Sequence, residues 1–269
     1  MWLADINRHS LRLAAKDIVD GLSSIYIWPM LGWQEIRQRY RRSLLGPFWL
    51  TMSTGALIAG MGPLYGRLLN QPISEYFSYL AIGFVVWILI STVIVESCVV
   101  FIASEAFIKQ IRLPFTVHVA RLVWKNLIIF AHNLVIVALV LVFYRPTWNW
   151  HIWLMPLGVL LIAVNGLWLG LLLGLLCARF RDIPQIVASL VQIAFFLTPV
   201  MWKSSMLGKY EWSVKWNPLF HFLEIVRAPL LGGSVSAATW QAVAIITIVG
   251  FTITLIFMAR FRSRIAYWV

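Results

Sequence analysis

An all-α membrane protein with six transmembrane helices is predicted by three properties of the sequence: composition, the spacing of long apolar stretches, and the placement of basic residues. Of 269 residues, 61% are hydrophobic and 12% charged, with a mean hydropathy of +0.83. A water-soluble domain has too little interior to hide that much apolar surface. Six stretches, at about 47–69, 76–103, 121–144, 152–178, 183–202 and 240–259, are long enough at ~1.5 Å per residue to cross a ~30 Å hydrocarbon layer. Sixteen of the 22 Lys and Arg fall on the termini and the connections on their side, which puts both termini in the cytoplasm.

Residues 1–46 read as a cytoplasmic segment with interfacial amphipathic helices. They hold seven Lys or Arg and no isolated apolar core, so no cleavable signal pattern is read. Within residues 9–22, Leu11, Ala14, Ala15, Ile18, Val19 and Leu22 share a helical face, with Ser10 as cap. A second stripe, Trp33, Ile36, Tyr40 and Leu44, has Arg39 and Arg42 opposite it and Arg37 and Arg41 at its flank. That pattern predicts a helix lying in the membrane surface, ended by Gly46, with Pro47 opening the first span. The net charge of +12 clusters beside apolar spans without a nucleic-acid motif, so the expected partner is anionic lipid and not nucleic acid. Arg39, Arg41 and Arg42 suit capture of a phosphate head group; orienting the first span is an equal alternative.

Along the spans, Gly60, Gly62 and Pro63 are expected to loosen the far half of the first. SEAFIKQIRLP, closed by Pro114, separates the second and third, and ARFRDIP joins the fourth and fifth. Residues 203–238 are too mixed for two spans and predict half-buried, re-entrant helices bracketed by Pro218 and Pro229. Trp216, Asn217, Pro218, Glu224 and Arg227 mark this region as a gate at the outer face.

No G-x-x-x-x-G-K-[ST] phosphate loop, serine elbow or H-E-x-x-H motif occurs, so no catalytic, cofactor or metal residues are assigned. Cys98 and Cys177 read as small core residues. Glu96 is the one acid well inside a span. Lys125 lies at similar depth on the next span, and a structural pair is favoured over a proton relay. His132, Asn126, Asn133, Asn165 and Gln192 are read as helix-joining polar groups, with a hydrated pathway as the alternative. Gly166, Gly170 and Gly174 recur at every fourth position, which predicts close approach of another backbone. The outer tryptophans, Trp148, Trp202 and Trp212 among them, fit an interface belt and equally a carbohydrate passage, since aromatic faces stack on the C–H faces of sugars.

RYRRSLLGPFW, ARFRDIPQI, FFLTPVMW and WNPLFHFLEIVRAPLL together give the chain its resemblance to the membrane subunits of ATP-binding-cassette polysaccharide exporters, the O-antigen, capsule and teichoic-acid permeases. The ending RFRSRIAYWV is most similar to the O-antigen branch. The resemblance implies a homodimer in a bacterial inner membrane, with two separate ATPase subunits carrying ATP and Mg, exporting undecaprenyl-pyrophosphate-linked glycan. It also implies that Glu105, Phe107, Ile108, Lys109 and Gln110 belong to the coupling helix seated in the ATPase, and that the amphipathic helix lies at the entrance gate. A membrane enzyme of lipid-linked sugar metabolism, or a permease of the same fold for small lipids or drugs, is the competing expectation.

Overall fold

The computed structural model describes residues 8–41, 48–144 and 149–269, with Arg39 described for its backbone alone. The described residues form helices and no strands: α1 (Arg8–Ser23), α2 (Ile27–Tyr40), α3 (Phe48–Leu68), α4 (Ile73–Ser97), α5 (Glu105–Gln110), α6 (Phe115–Tyr144), α7 (Met155–Arg179), α8 (Ile183–Leu197), α9 (Glu211–Val214), α10 (Pro218–Leu230), α11 (Ala237–Phe261) and α12 (Ile265–Trp268). Short 3-10 turns precede α7, α9 and α12.

Of the helices α3, α4, α6, α7, α8 and α11, α4 is the most enclosed, packed by α3, α6, α7, α8 and α10. Among the described residues four helices, Ile73–Ser97, Phe115–Tyr144, Trp150–Arg179 and Ala237–Trp268, are long and apolar enough to cross a membrane. α3 has the length, but Ser, Thr and Gly dilute its hydropathy. α8, at 15 residues, reaches only ~22 Å.

Several expected boundaries shift, each for a visible reason. α4, the expected second span, ends at Ser97 and not near 103. Cys98, Val100 and Phe101 keep their apolar character because they are buried in a turn, the latter two against Gly174 of α7. α6 starts at Phe115 rather than 121, because Asp17 of α1 accepts hydrogen bonds from the Phe115 and Thr116 backbone N–H groups at 3.2 and 3.1 Å. α8 stops at Leu197 instead of 202. The carbonyls beyond it are held by side chains: Tyr76 Oη donates to Met201 at 2.7 Å, Tyr79 Oη lies 2.8 Å from the Trp202 carbonyl, and Arg227 donates to Pro199 at 2.6 Å. α7 and α11 run to Arg179 and Phe261, close to expectation. α3 continues through Pro63, and Gly62 makes room for Phe77.

The N-terminal helices also differ from expectation. Ser10 lies inside α1, not at its cap. The buried face of α1 is Ala14, Asp17 and Gly21, while Leu11, Val19 and Leu22 stay exposed. A Cβ at Gly21 would stand 2.5 Å from Thr116, so glycine brings α1 onto the start of α6. The α2 stripe divides likewise: Trp33 is exposed and Ile36 is buried in the protein, since Gly32 lets α2 approach Trp124 and the Arg121 carbonyl. Leu44, Gly46 and Pro47 lie outside the described residues.

The glycine repeat on α7 admits side chains and not a backbone: Gly166 receives Val93 and Val123, Gly170 receives Val119, and Gly174 receives Val100 and Phe101. Backbone approach occurs elsewhere. A Cβ at Gly158 would be 2.6 Å from the Ile225 carbonyl of α10, and one at Gly83 would be 2.9 Å from that of Val200.

Candidate functional site

Three assemblies gather the charged and polar residues of the bundle. The first joins α2, α4 and α6 near the end that carries both described termini. Lys125, almost enclosed, donates to Glu35 Oε1 at 2.6 Å and to Glu96 Oε2 at 2.9 Å. Asn126 donates to Glu96 at 2.8 Å. Arg121 pairs with Glu35 at 3.5 Å and donates to Ser104 Oγ, at the start of α5, at 3.0 Å. One lysine thus ties the surface helix α2 to α4, and the neighbouring arginine ties the same glutamate to α5. Two acids and two bases thus face one another across three helices.

Glu96 also faces an open groove of about 750 Å³ between α4 and α8. Trp87, Phe195 and Phe196 supply aromatic surface there, and Ser91, Thr92 and Gln192 supply hydrogen-bonding groups. Among the other polar residues within helices, Asn133 accepts from Thr51 of α3 at 3.2 Å and Asn165 donates to Thr247 of α11 at 2.8 Å. His132 instead bonds within its own helix, to the Ile128 carbonyl at 2.8 Å.

The second assembly is the surface of the terminus-bearing end. α5 exposes Glu105, Phe107, Lys109 and Gln110, while Ile108 packs inward. Glu105 and Lys109 pair at 2.6 Å, and the ammonium holds the carboxyl below its ordinary range. On α2, Gln34, Arg37, Gln38 and Arg41 line a shallow depression of about 330 Å³. Arg41 thus pairs in space with Arg37, a residue the head-group reading passed over; their i, i+4 spacing was the available signal. Arg42 and the side chain of Arg39 lie outside the described residues.

The third assembly is at the opposite end. Asn217 caps α10, accepting from Leu219 N at 2.9 Å, and donates to Thr198 Oγ1 at 2.8 Å; Pro218 supplies the donor-free first position. α10 is buried from His221 to Leu230 apart from the half-buried Glu224, whereas the short helices before it are largely exposed. Arg227, 2% exposed, pairs with Glu224 at 2.6 Å and lies 4.1 Å over the Tyr79 ring. Trp216 and Trp212 are exposed, Trp202 is half-buried and donates to the Phe196 carbonyl at 3.2 Å, and Trp148 lies outside the described residues. Tyr76 and Tyr79, which hold the chain after α8, were hidden in an apolar run.

These assemblies belong to a transport fold, and comparison with known proteins names it. The sequence model described as "ABC-2 type transporter" matches residues 28–231, from the start of α2 to the end of α10. The chain belongs to the ABC-2 type transporter family. Among relatives of this ABC-2 transporter subunit, an O-antigen export system permease protein RfbA of Klebsiella pneumoniae is 22% identical over 233 residues, covering 86% of this chain and 88% of that protein. RfbA of Myxococcus xanthus is 26% identical over 174 residues, covering 65% and 67%. The polysialic acid transport protein KpsM of Escherichia coli is 22% identical over 239 residues, covering 86% and 90%. The chain is thus a multi-pass permease of the ATP-binding-cassette class, a class that works with an ATPase subunit.

Proposed function

We propose that this chain is the transmembrane subunit of an ATP-driven exporter that moves undecaprenyl-pyrophosphate-linked polysaccharide, O-antigen being the favoured class, from cytoplasm to periplasm. The observation that carries the reading is similarity over most of the chain to permeases named for export of O-antigen and transport of polysialic acid. In this reading the chain is a homodimer in a bacterial inner membrane, and α3, α4, α6, α7, α8 and α11 are six spans with both termini cytoplasmic. ATP and Mg belong to two separate ATPase subunits, and α5 seats in them.

The geometry supports a division of labour. The aromatic and hydroxyl-bearing groove beside Glu96 offers stacking faces and hydrogen-bonding groups, the two kinds of contact a sugar takes. α10 re-enters from the outer face: its Arg227 side chain reaches to 3.7 Å from where a Cβ would stand on Gly83, ten residues into α4 and so ~15 Å along it, and protein encloses α10 from His221 to Leu230 apart from Glu224. α2 presents Arg37 and Arg41 where a lipid pyrophosphate arrives.

The test is removal of the chain from its bacterium. Loss of surface polysaccharide with accumulation of the lipid-linked glycan inside is expected. Normal surface glycan with impaired sugar transfer would support the membrane-enzyme alternative, and loss of small-lipid or drug efflux alone would support the permease of other cargo.

A further inference from the structure

Behind the groove that holds Glu96, α8 stands away from α7 and leaves a second cavity of about 410 Å³, floored by α4 and closed at one end by α10. Its walls are aliphatic and aromatic: Ile94, Ile162, Leu173, Val187, Ala194 and Phe222 are representative. Asn165, the polar residue in the wall, is already satisfied, accepting from Trp168 Nε1 at 2.7 Å and donating to Thr247 Oγ1 at 2.8 Å. Water has no partners in such a space, and an empty void of this size forfeits contacts on every side.

We propose that this cavity is a binding site for one anionic phospholipid of the bilayer, with a hydrocarbon chain between α7 and α8 and its phosphate at the turn joining them. Length supports the chain. From Ile162 to Leu173 the groove follows α7 for ~16 Å, close to the ~15 Å of one leaflet; a polyprenyl carrier chain is several-fold longer and does not fit. Charge supports the head group. The turn Phe180–Asp182, which joins α7 to α8, lies beyond Leu173 and Val187 at the end away from α10, ~9 Å further along α7, and it is flanked by Arg179 and carries Arg181. Both are exposed, and neither forms an ion pair among the described residues. They gather at Trp268: the Arg179 guanidinium lies 5.5 Å from its ring and Arg181 donates to its carbonyl at 3.0 Å. Guanidinium beside indole is the pairing that anchors proteins at a phosphate-rich interface.

The inference rests on the chain being embedded in a bilayer and not on glycan export, so loss of either reading leaves the other standing. The experiment is native mass spectrometry of the full chain, with its ATPase where that copurifies, released from nanodiscs of equal phosphatidylglycerol and phosphatidylcholine. One phosphatidylglycerol per chain is expected, held with about tenfold preference. R179Q/R181Q should abolish the preference, and A194W, which fills the cavity, should abolish retention of either lipid. Equal retention of the two lipids by the native chain overturns the proposal, as does a preference that survives R179Q/R181Q. Those two arms decide the matter if A194W does not fold; a folded A194W that keeps its lipid also overturns it. Displacement of the phosphatidylglycerol by undecaprenyl phosphate would assign the site to the carrier. A disulfide between copies at L190C would assign it to a second subunit, and either outcome refutes the phospholipid.

Discussion

Asp17 and Arg262 meet at 2.8 Å, joining the first described helix to the 3-10 turn between α11 and α12. The same carboxylate accepts from the start of α6, so one enclosed side chain closes three segments at one end of the bundle. Asp17→Ala leaves three helix-start donors, the Phe115 and Thr116 N–H groups and the Thr116 hydroxyl, and one cation without their acceptor. A loss of about 2–4 kcal/mol is expected, read as a fall in thermal midpoint in nanodiscs. Asp17→Asn, which keeps one acceptor oxygen, should lose roughly half as much.

Lys125 is shared by Glu35 and Glu96, so its removal takes a cation from both and leaves Arg121 alone against two carboxylates. Lys125→Met should destabilise more than Glu96→Gln, and the double variant should be less harmed than the two effects added. A coupling of about 1–3 kcal/mol is expected from a thermal double-mutant cycle. Strict additivity would show that the contact carries no energy.

Gly158 and Gly60 separate two uses of glycine. A Cβ at Gly158 meets the Ile225 carbonyl of α10, which cannot rotate aside, whereas one at Gly60 meets nothing within 4 Å. Gly158→Ala should cost about 1–3 kcal/mol and loosen α10, seen as faster hydrogen exchange at Ile225 and Val226. Gly60→Ala should leave stability unchanged or raise it by about 0.5–1 kcal/mol.

Phe107, 40% exposed on α5, is the apolar anchor of the proposed ATPase contact. Phe107→Ala should weaken assembly with the ATPase by about 1–3 kcal/mol without changing the midpoint of the isolated chain. Copurification measured against insertion level checks it. Undiminished assembly would move the contact off α5.

Arg39, Arg41 and Arg42 test whether head-group capture needs guanidinium geometry. Orientation and lipid attraction need only charge, so Lys at all three positions should then preserve export. Bidentate capture predicts lost export with insertion and ATPase binding intact. Arg37→Lys belongs in the series because Arg37 shares the depression with Arg41.

What the sequence determined by itself was what period and composition carry: an all-helical chain with several stretches long and apolar enough to cross a membrane, and family membership through motifs spread along the chain. Glu96 and Lys125 were legible as a pair because an intramembrane acid has few affordable environments. The tertiary structure decided everything set by contacts distant in sequence. Glu35 became the second partner of Lys125 because Gly32 lets α2 lie against α6. The apolar 98–103 segment left the helix because protein, as well as lipid, satisfies hydrophobicity. Asp17 carried no signal in the helical pattern and is the buried anchor of α1, since burial of a carboxylate depends on donors 98 and 245 residues away. A one-dimensional pattern registers how much a residue avoids water; which surface shelters it is a property of the packed chain.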